Sequence, residues 1–186
     1  MLGQHQFLAF AIAVAAIAAW RDWRTGEIPD RMTLLPLALA PLVHFAAPLL
    51  RGSGFDAGVE AAGSSVLGAV ACAAAPMLLY KMSDGNAIGG GDVKLLAAMG
   101  AILMPMAGIE AEFYAFMAAL LIAPARLAWE GKLFRVLGNT LALALNPFLP
   151  RHRRRQISPE MMTSMRFGPA VFLGVCCAAL THWRGS

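Results

Sequence analysis

The sequence predicts an all-α membrane protein of six transmembrane helices, with an interfacial amphipathic helix between the fifth and the sixth. Three observations lead there. Of the 186 residues, 59% are hydrophobic and only 14% charged, whereas a soluble domain carries about a quarter charged residues. The apolar residues gather in runs close to the roughly 20 that a spanning helix needs, and the mean hydropathy is +0.62. The Lys and Arg residues crowd into alternate loops between those runs. The length suits one polytopic domain over 1–186.

The first run, 2–20, has no basic residue ahead of it and ends in "WRDWR", so it reads as a span with its N-terminus outside and not as a signal peptide. The second, 32–50, follows Pro29 and Asp30, and Asp30 is expected to cap the helix and favour its dipole. The third, 59–80, contains "AAGSSVLGA", whose small side chains favour close helix packing. The fourth, 93–108, and the fifth, 109–129, are expected to meet at a tight turn around Gly108. The sixth is 167–183. Prolines inside these runs are tolerable because neighbouring helices can satisfy the freed carbonyls. The segment 132–149 is interrupted by Arg135, Asn139 and Asn146, which suits an amphipathic helix lying at the interface.

With the N-terminus outside, the loops at 21–31, 81–94 and 126–166 face the cytoplasm and hold 13 of the 15 Lys and Arg residues, leaving Arg51 and Arg184 outside. Positive charge stays on the cytoplasmic side, so this orientation is the expected one. The net charge of +4 then marks orientation and not nucleic-acid binding. The cluster Arg151–Arg155 is expected to touch anionic lipid headgroups. Cys72, Cys176 and Cys177 lie inside apolar runs, form no CxxC, and read as small packing residues.

The eleven acidic residues sort by position. Asp56, Glu60, Glu110 and Glu112 fall near the outer ends of spans, Glu27, Glu130 and Glu160 fall in cytoplasmic loops, and Asp84 suits a turn. Asp22 and Asp92 remain, one ending the first span and one starting the fourth, both at the cytoplasmic face. Two nearby carboxylates in a partly apolar site cannot both ionise cheaply, so they share a proton and titrate as a unit. Such a pair activates water, since the carboxylate takes a proton while the carboxylic acid gives one to a scissile carbonyl. Gly89, Gly90 and Gly91, immediately before Asp92, would let another backbone approach closely. Taken alone, "GGGD" is also compatible with a simple loop and an Asp N-cap.

The combination resembles a known family. "GGGDVKLLAAMG" is similar to the GxGD signature of type IV prepilin peptidases and archaeal preflagellin peptidases. "DWRTGEIPDRMTL" resembles their first aspartate motif, and "RFGPAVFLG" their closing helix. The resemblance implies an aspartic protease that needs no cofactor or metal, with Asp22 and Asp92 catalytic and Gly89 and Gly91 as the fixed glycines. Lys94 and Glu27 join the loop geometry or the substrate contact, Glu27 as a partner for basic leader residues. The implied substrate is a prepilin with a short basic leader and an apolar helix, cut at the cytoplasmic face of an inner membrane. Longer family members carry paired CxxC motifs and also methylate the new N-terminus. This chain starts at its first span without CxxC, so methyltransferase activity is not expected, and the short form is similar to peptidases of tight-adherence (Flp) pili.

Other chemistries fit less well. The four histidines form no HExxH or i, i+4 pair, which speaks against a zinc protease. "GNAIGGGD" lacks the ending of a phosphate-binding loop. Ser64 and Ser65 lie mid-span without an evident base. No Tyr-Asp or Pro-Ala-Leu motif points to the presenilin branch. The alternatives are a small proton- or cation-coupled transporter using the same two carboxylates, and a catalytically silent assembly scaffold. Oligomeric state is not legible.

Overall fold

The structure is a computed structural model and describes residues 4–83, 88–134, 136–138 and 166–183. The helices are α1 (Gln4–Thr25), α2 (Asp30–Leu50), α3 (Phe55–Met82), α4 (Gly90–Trp129) and α5 (Gly168–Trp183), and no strand occurs among the described residues. Helices α1 to α4 are long and apolar enough to cross a membrane, and α5 is a shorter apolar helix. The chain divides into two compact units, Met1–Ala119 with Arg166–Ser186, and Leu120–Met165.

In the first unit, α4 is broken at Met104, whose φ of 64° and ψ of 173° are non-helical. The break comes four residues before the expected turn at Gly108, and Pro105 explains it. Proline lacks the N–H that would bond the Ala101 carbonyl, and the kink frees the next carbonyl as well. Both are recovered from neighbouring helices: Ser65 Oγ on α3 donates to the Ala101 oxygen at 2.7 Å. His44 Nε2 on α2 bonds the Ile102 oxygen at 3.0 Å. Gly108 serves a different purpose. A Cβ there would stand 2.9 Å from Gly100 Cα, so the arms 90–103 and 105–119 fold back on each other at this point. A Cβ on Gly68 of α3 would overlap the Gly100 carbonyl oxygen, which makes Gly68, Gly100 and Gly108 a three-way crossing of small residues.

The arm 90–103 is the centre of the bundle. Residues 95–103 are buried on every face, as a helix apolar all round must be. Around it, α1 buries Leu8, Ala11, Ala15 and Ala18, a stripe at helical spacing, while Phe10, Ile17 and Trp20 face outward. Helix α1 packs on α5, and α2 on α3. On α5, a Cβ at Gly174 would lie 2.8 Å from Ala115 Cβ, so α5 also closes against the second arm.

The early break moves Glu112 inward. Expected near an outer end, it is instead buried two turns past the kink, and its Oε1 has no hydrogen-bond partner. Asp30 also departs from expectation. Pro29 is the N-cap and makes no side-chain cap bond, while Asp30 is the first helical residue.

In the second unit, Arg126 Nε donates to Glu130 Oε1 at 3.0 Å and Lys132 Nζ to Oε2 at 2.9 Å. Lys132 first, then Arg126, holds the Glu130 carboxyl below its usual range. Within 132–149, residues 133–134 and 136–138 are helical, and the Val136 N–H bonds the Lys132 carbonyl. The rest of 132–149 and the Arg151–Arg155 cluster lie outside the described residues.

Candidate functional site

The buried stripe of α1 runs Ala11, Ala15, Ala18 and then Asp22, and Asp22 keeps to it with 5% exposure. A carboxylate on the packing face of a helix is turned into the bundle, away from bulk water. Its Oδ2 accepts the Gly168 N–H at 2.8 Å. That N–H is one of the donors left unpaired at the start of any helix. The chain turn there is set by the Phe167 carbonyl, which takes the Ala170 and Val171 N–H groups. Asp22 therefore sits at the positive end of α5, a favourable place for a carboxylate.

Asp92 lies in the first turn of α4 and is 9% exposed. Its backbone N–H bonds the Gly89 carbonyl at 3.1 Å, and its Oδ2 accepts the Gly89 N–H at 3.3 Å. The glycine segment thus folds tightly around the carboxylate. Gly91 meets the loop after α1, since a Cβ there would stand 3.4 Å from Ile28 Cβ. That loop turns at Gly26, whose φ of 72° suits glycine.

These pieces enclose a cavity of about 260 Å³ lined by Asp22, Gly26, Glu27, Ile28, Gly89, Gly91 and Asp92. Both aspartates face it, although 69 residues lie between them in the chain (Trp23 to Gly91). Glu27 is an exposed wall residue. Gly90 is not part of the lining and faces Tyr80, from which a Cβ would be 3.8 Å away. Lys94 is not in the lining either, and its Nζ donates to Asp30 Oδ1 at 2.6 Å. Two residues without an assigned role in the sequence stand next to the site. Gly168 fixes Asp22, and Arg166 donates to the Trp23 carbonyl one residue on. The "FGP" triplet marks a helix start, since proline opens a helix, but nothing in it assigns the glycine amide to Asp22.

Chemically, the cavity offers two recessed carboxylates, one acidic wall residue and a floor of glycine backbone. Among the described residues, no group of three or more His, Cys, Asp or Glu could hold a metal ion. A larger cavity of about 630 Å³ lies around the Met104 break, lined by His44, His182, Arg51 and mainly apolar residues, and shares no lining residue with the first.

A sequence profile of the type IV leader peptidase family matches residues 9–124, a stretch that includes both aspartates, the glycine run and both walls of the smaller cavity. No curated protein and no solved structure matches the chain.

Proposed function

Starting from the fact that the chain belongs to the type IV leader peptidase family, we propose that it is a membrane-embedded aspartic endopeptidase that removes the short basic leader from prepilins at the cytoplasmic face. The observation that carries this is the cavity shared by Asp22 and Asp92. One aspartate, ionised, takes a proton from a water between the two. The resulting hydroxide attacks the scissile carbonyl carbon while the other aspartate, protonated, gives its proton to the carbonyl oxygen. The tetrahedral species then collapses: one of its hydroxyls returns a proton to the second aspartate as the carbonyl re-forms, the C–N bond breaks, and the amine leaves with the proton first taken from water. No covalent intermediate or cofactor is needed.

The geometry around the pair supports an extended substrate. Gly89 and Gly91 present backbone without side chains beside Asp92, so a peptide can lie within reach of the carboxylate. Glu27 stands on the exposed wall, where an acidic group suits a basic leader. The apolar helix of the substrate would dock laterally from the bilayer. The cytoplasmic placement rests on the positive charges of the loops that carry Asp22 and Asp92, against which Arg51 and Arg184 are the two on the other side. The family membership favours hydrolysis over proton or cation transport. Cleavage without N-methylation is proposed as well, because Cys72, Cys176 and Cys177 lie within α3 and α5 and none belongs to a CxxC. An inner-membrane location and an Flp-type substrate complete the proposal.

The test is co-expression with a candidate prepilin, with Asp22→Asn and Asp92→Asn compared on a gel that resolves the leader. Either substitution is expected to abolish cleavage while the protein still inserts. Full processing by both variants would overturn the assignment.

A further inference from the structure

The ion pair between Lys94 and Asp30 lies outside the cavity lining, yet it joins the two chain segments that form the cavity walls. Asp22 ends one wall, and the chain runs from it through Gly26, Glu27 and Ile28 to Asp30, at the start of α2. Asp92 ends the other wall, and Lys94 follows it two residues later on α4. The Lys94 Nζ to Asp30 Oδ1 contact of 2.6 Å joins the two walls at this end. Between the two ends, Ile28 rests on Gly91. The other fixed points of the aspartates lead elsewhere, Asp22 to Gly168 and Asp92 to its own Gly89. Beyond the Ile28 contact, Lys94–Asp30 is the polar link between the Asp22 and Asp92 walls.

We infer that Lys94 and Asp30 are positioning residues, an electrostatic latch that holds the 26–29 loop against the glycine segment and thereby sets the separation of Asp22 and Asp92. This rests on the proposed two-aspartate cleavage. Both partners are partly solvated, with side chains 39% and 63% exposed. A pair so exposed contributes little to global stability. Its effect is local, on the short loop that turns at Gly26. Being exposed, the latch also weakens as salt screens it.

The experiment measures leader cleavage on purified full-length enzyme for Lys94→Met, Asp30→Asn and the charge-exchanged double variant Asp30→Lys with Lys94→Asp. Each single variant is expected to lower kcat about tenfold with KM nearly unchanged. Thermal midpoints should stay within a degree or two of the unmodified enzyme. The exchanged pair should recover most of kcat. The pH–rate profile gives a second readout, because two carboxylates that drift apart couple less, so the acidic and basic limbs of the single variants should draw together. A rise in KM at constant kcat in Lys94→Met would make Lys94 a substrate contact and overturn the latch, as would unchanged kinetics or an exchanged pair no better than the singles. Asp22→Asn and Asp92→Asn run alongside. If those two variants still cleave, the two-aspartate mechanism fails. If they are inactive and the latch variants are normal, only the latch fails.

Discussion

At Asp22 one glycine sets how near a whole helix can come. A Cβ on Gly168 would stand 2.9 Å from both Asp22 Cβ and Oδ2, so any larger residue must push α5 off the carboxylate or break the Gly168 N–H bond. A hydrogen bond to a charged group contributes about 1.5–3 kcal/mol, and about 1.4 kcal/mol is tenfold in rate. Gly168→Ala is therefore expected to lower kcat/KM for leader cleavage by roughly tenfold to a hundredfold while insertion is unchanged. In the proposed mechanism, the proton shared by the pair has its own signature. At low pH both aspartates are protonated and the base is lost, and at high pH both are ionised and the acid is lost. Cleavage rate should follow a bell against pH, and a rate that rises to a plateau would mean a single working carboxylate. At this scale Asp22 was legible, because it is an acidic residue ending the first apolar run at the face where the positive loops gather. The amide of Gly168 was not, because 145 residues lie between the partners (Trp23 to Phe167) and nothing local marks a backbone donor as reserved for a distant acid.

Among the helices, the apolar runs gave the positions well and the interruption of α4 poorly. Glycine at 108 resembles a turn residue, but in a bundle of small side chains a glycine is as useful for contact as for turning. Pro105 held the better information, since its missing donor requires a partner for the Ala101 carbonyl and Ser65 supplies one. Ser65, whose run suggested close packing, and His44, which matched no metal motif, satisfy the backbone that the break exposes. Glu112 was misplaced for the same reason, because a turn four residues earlier carries it two turns into the interior. The crossing at Gly68 and Gly100 leaves no space for a methyl group, and overpacking costs about 1–3 kcal/mol. Gly68→Ala should lower stability by about that amount in a denaturation series in detergent. Gly63→Ala, on the same helix with nothing within 4 Å of its added Cβ, should be neutral or mildly stabilising.

For the molecule as a whole, the distribution of Lys and Arg predicts which face is which. Ser53, in the exposed α2–α3 connection, should be outside, and Thr25, the exposed last residue of α1, should be inside. In a background with Cys72, Cys176 and Cys177 replaced, Ser53→Cys should react with a membrane-impermeant maleimide in intact cells, and Thr25→Cys only after lysis. The opposite pattern would place the aspartates on the outer face. The central arm has a further implication. Residues 90–103 rise about 1.5 Å each and reach roughly 21 Å, against about 30 Å of hydrocarbon in a typical bilayer. The arm that ends in Asp92 is therefore too short to carry its carboxylate from one membrane surface to the other, and the 630 Å³ hollow around Met104 lies at its far end. The arm is buried between longer helices, so lipid meets those helices and the shortfall stays inside the protein. How far below the headgroups water must be drawn to reach the aspartates is therefore set by the length of this inner arm.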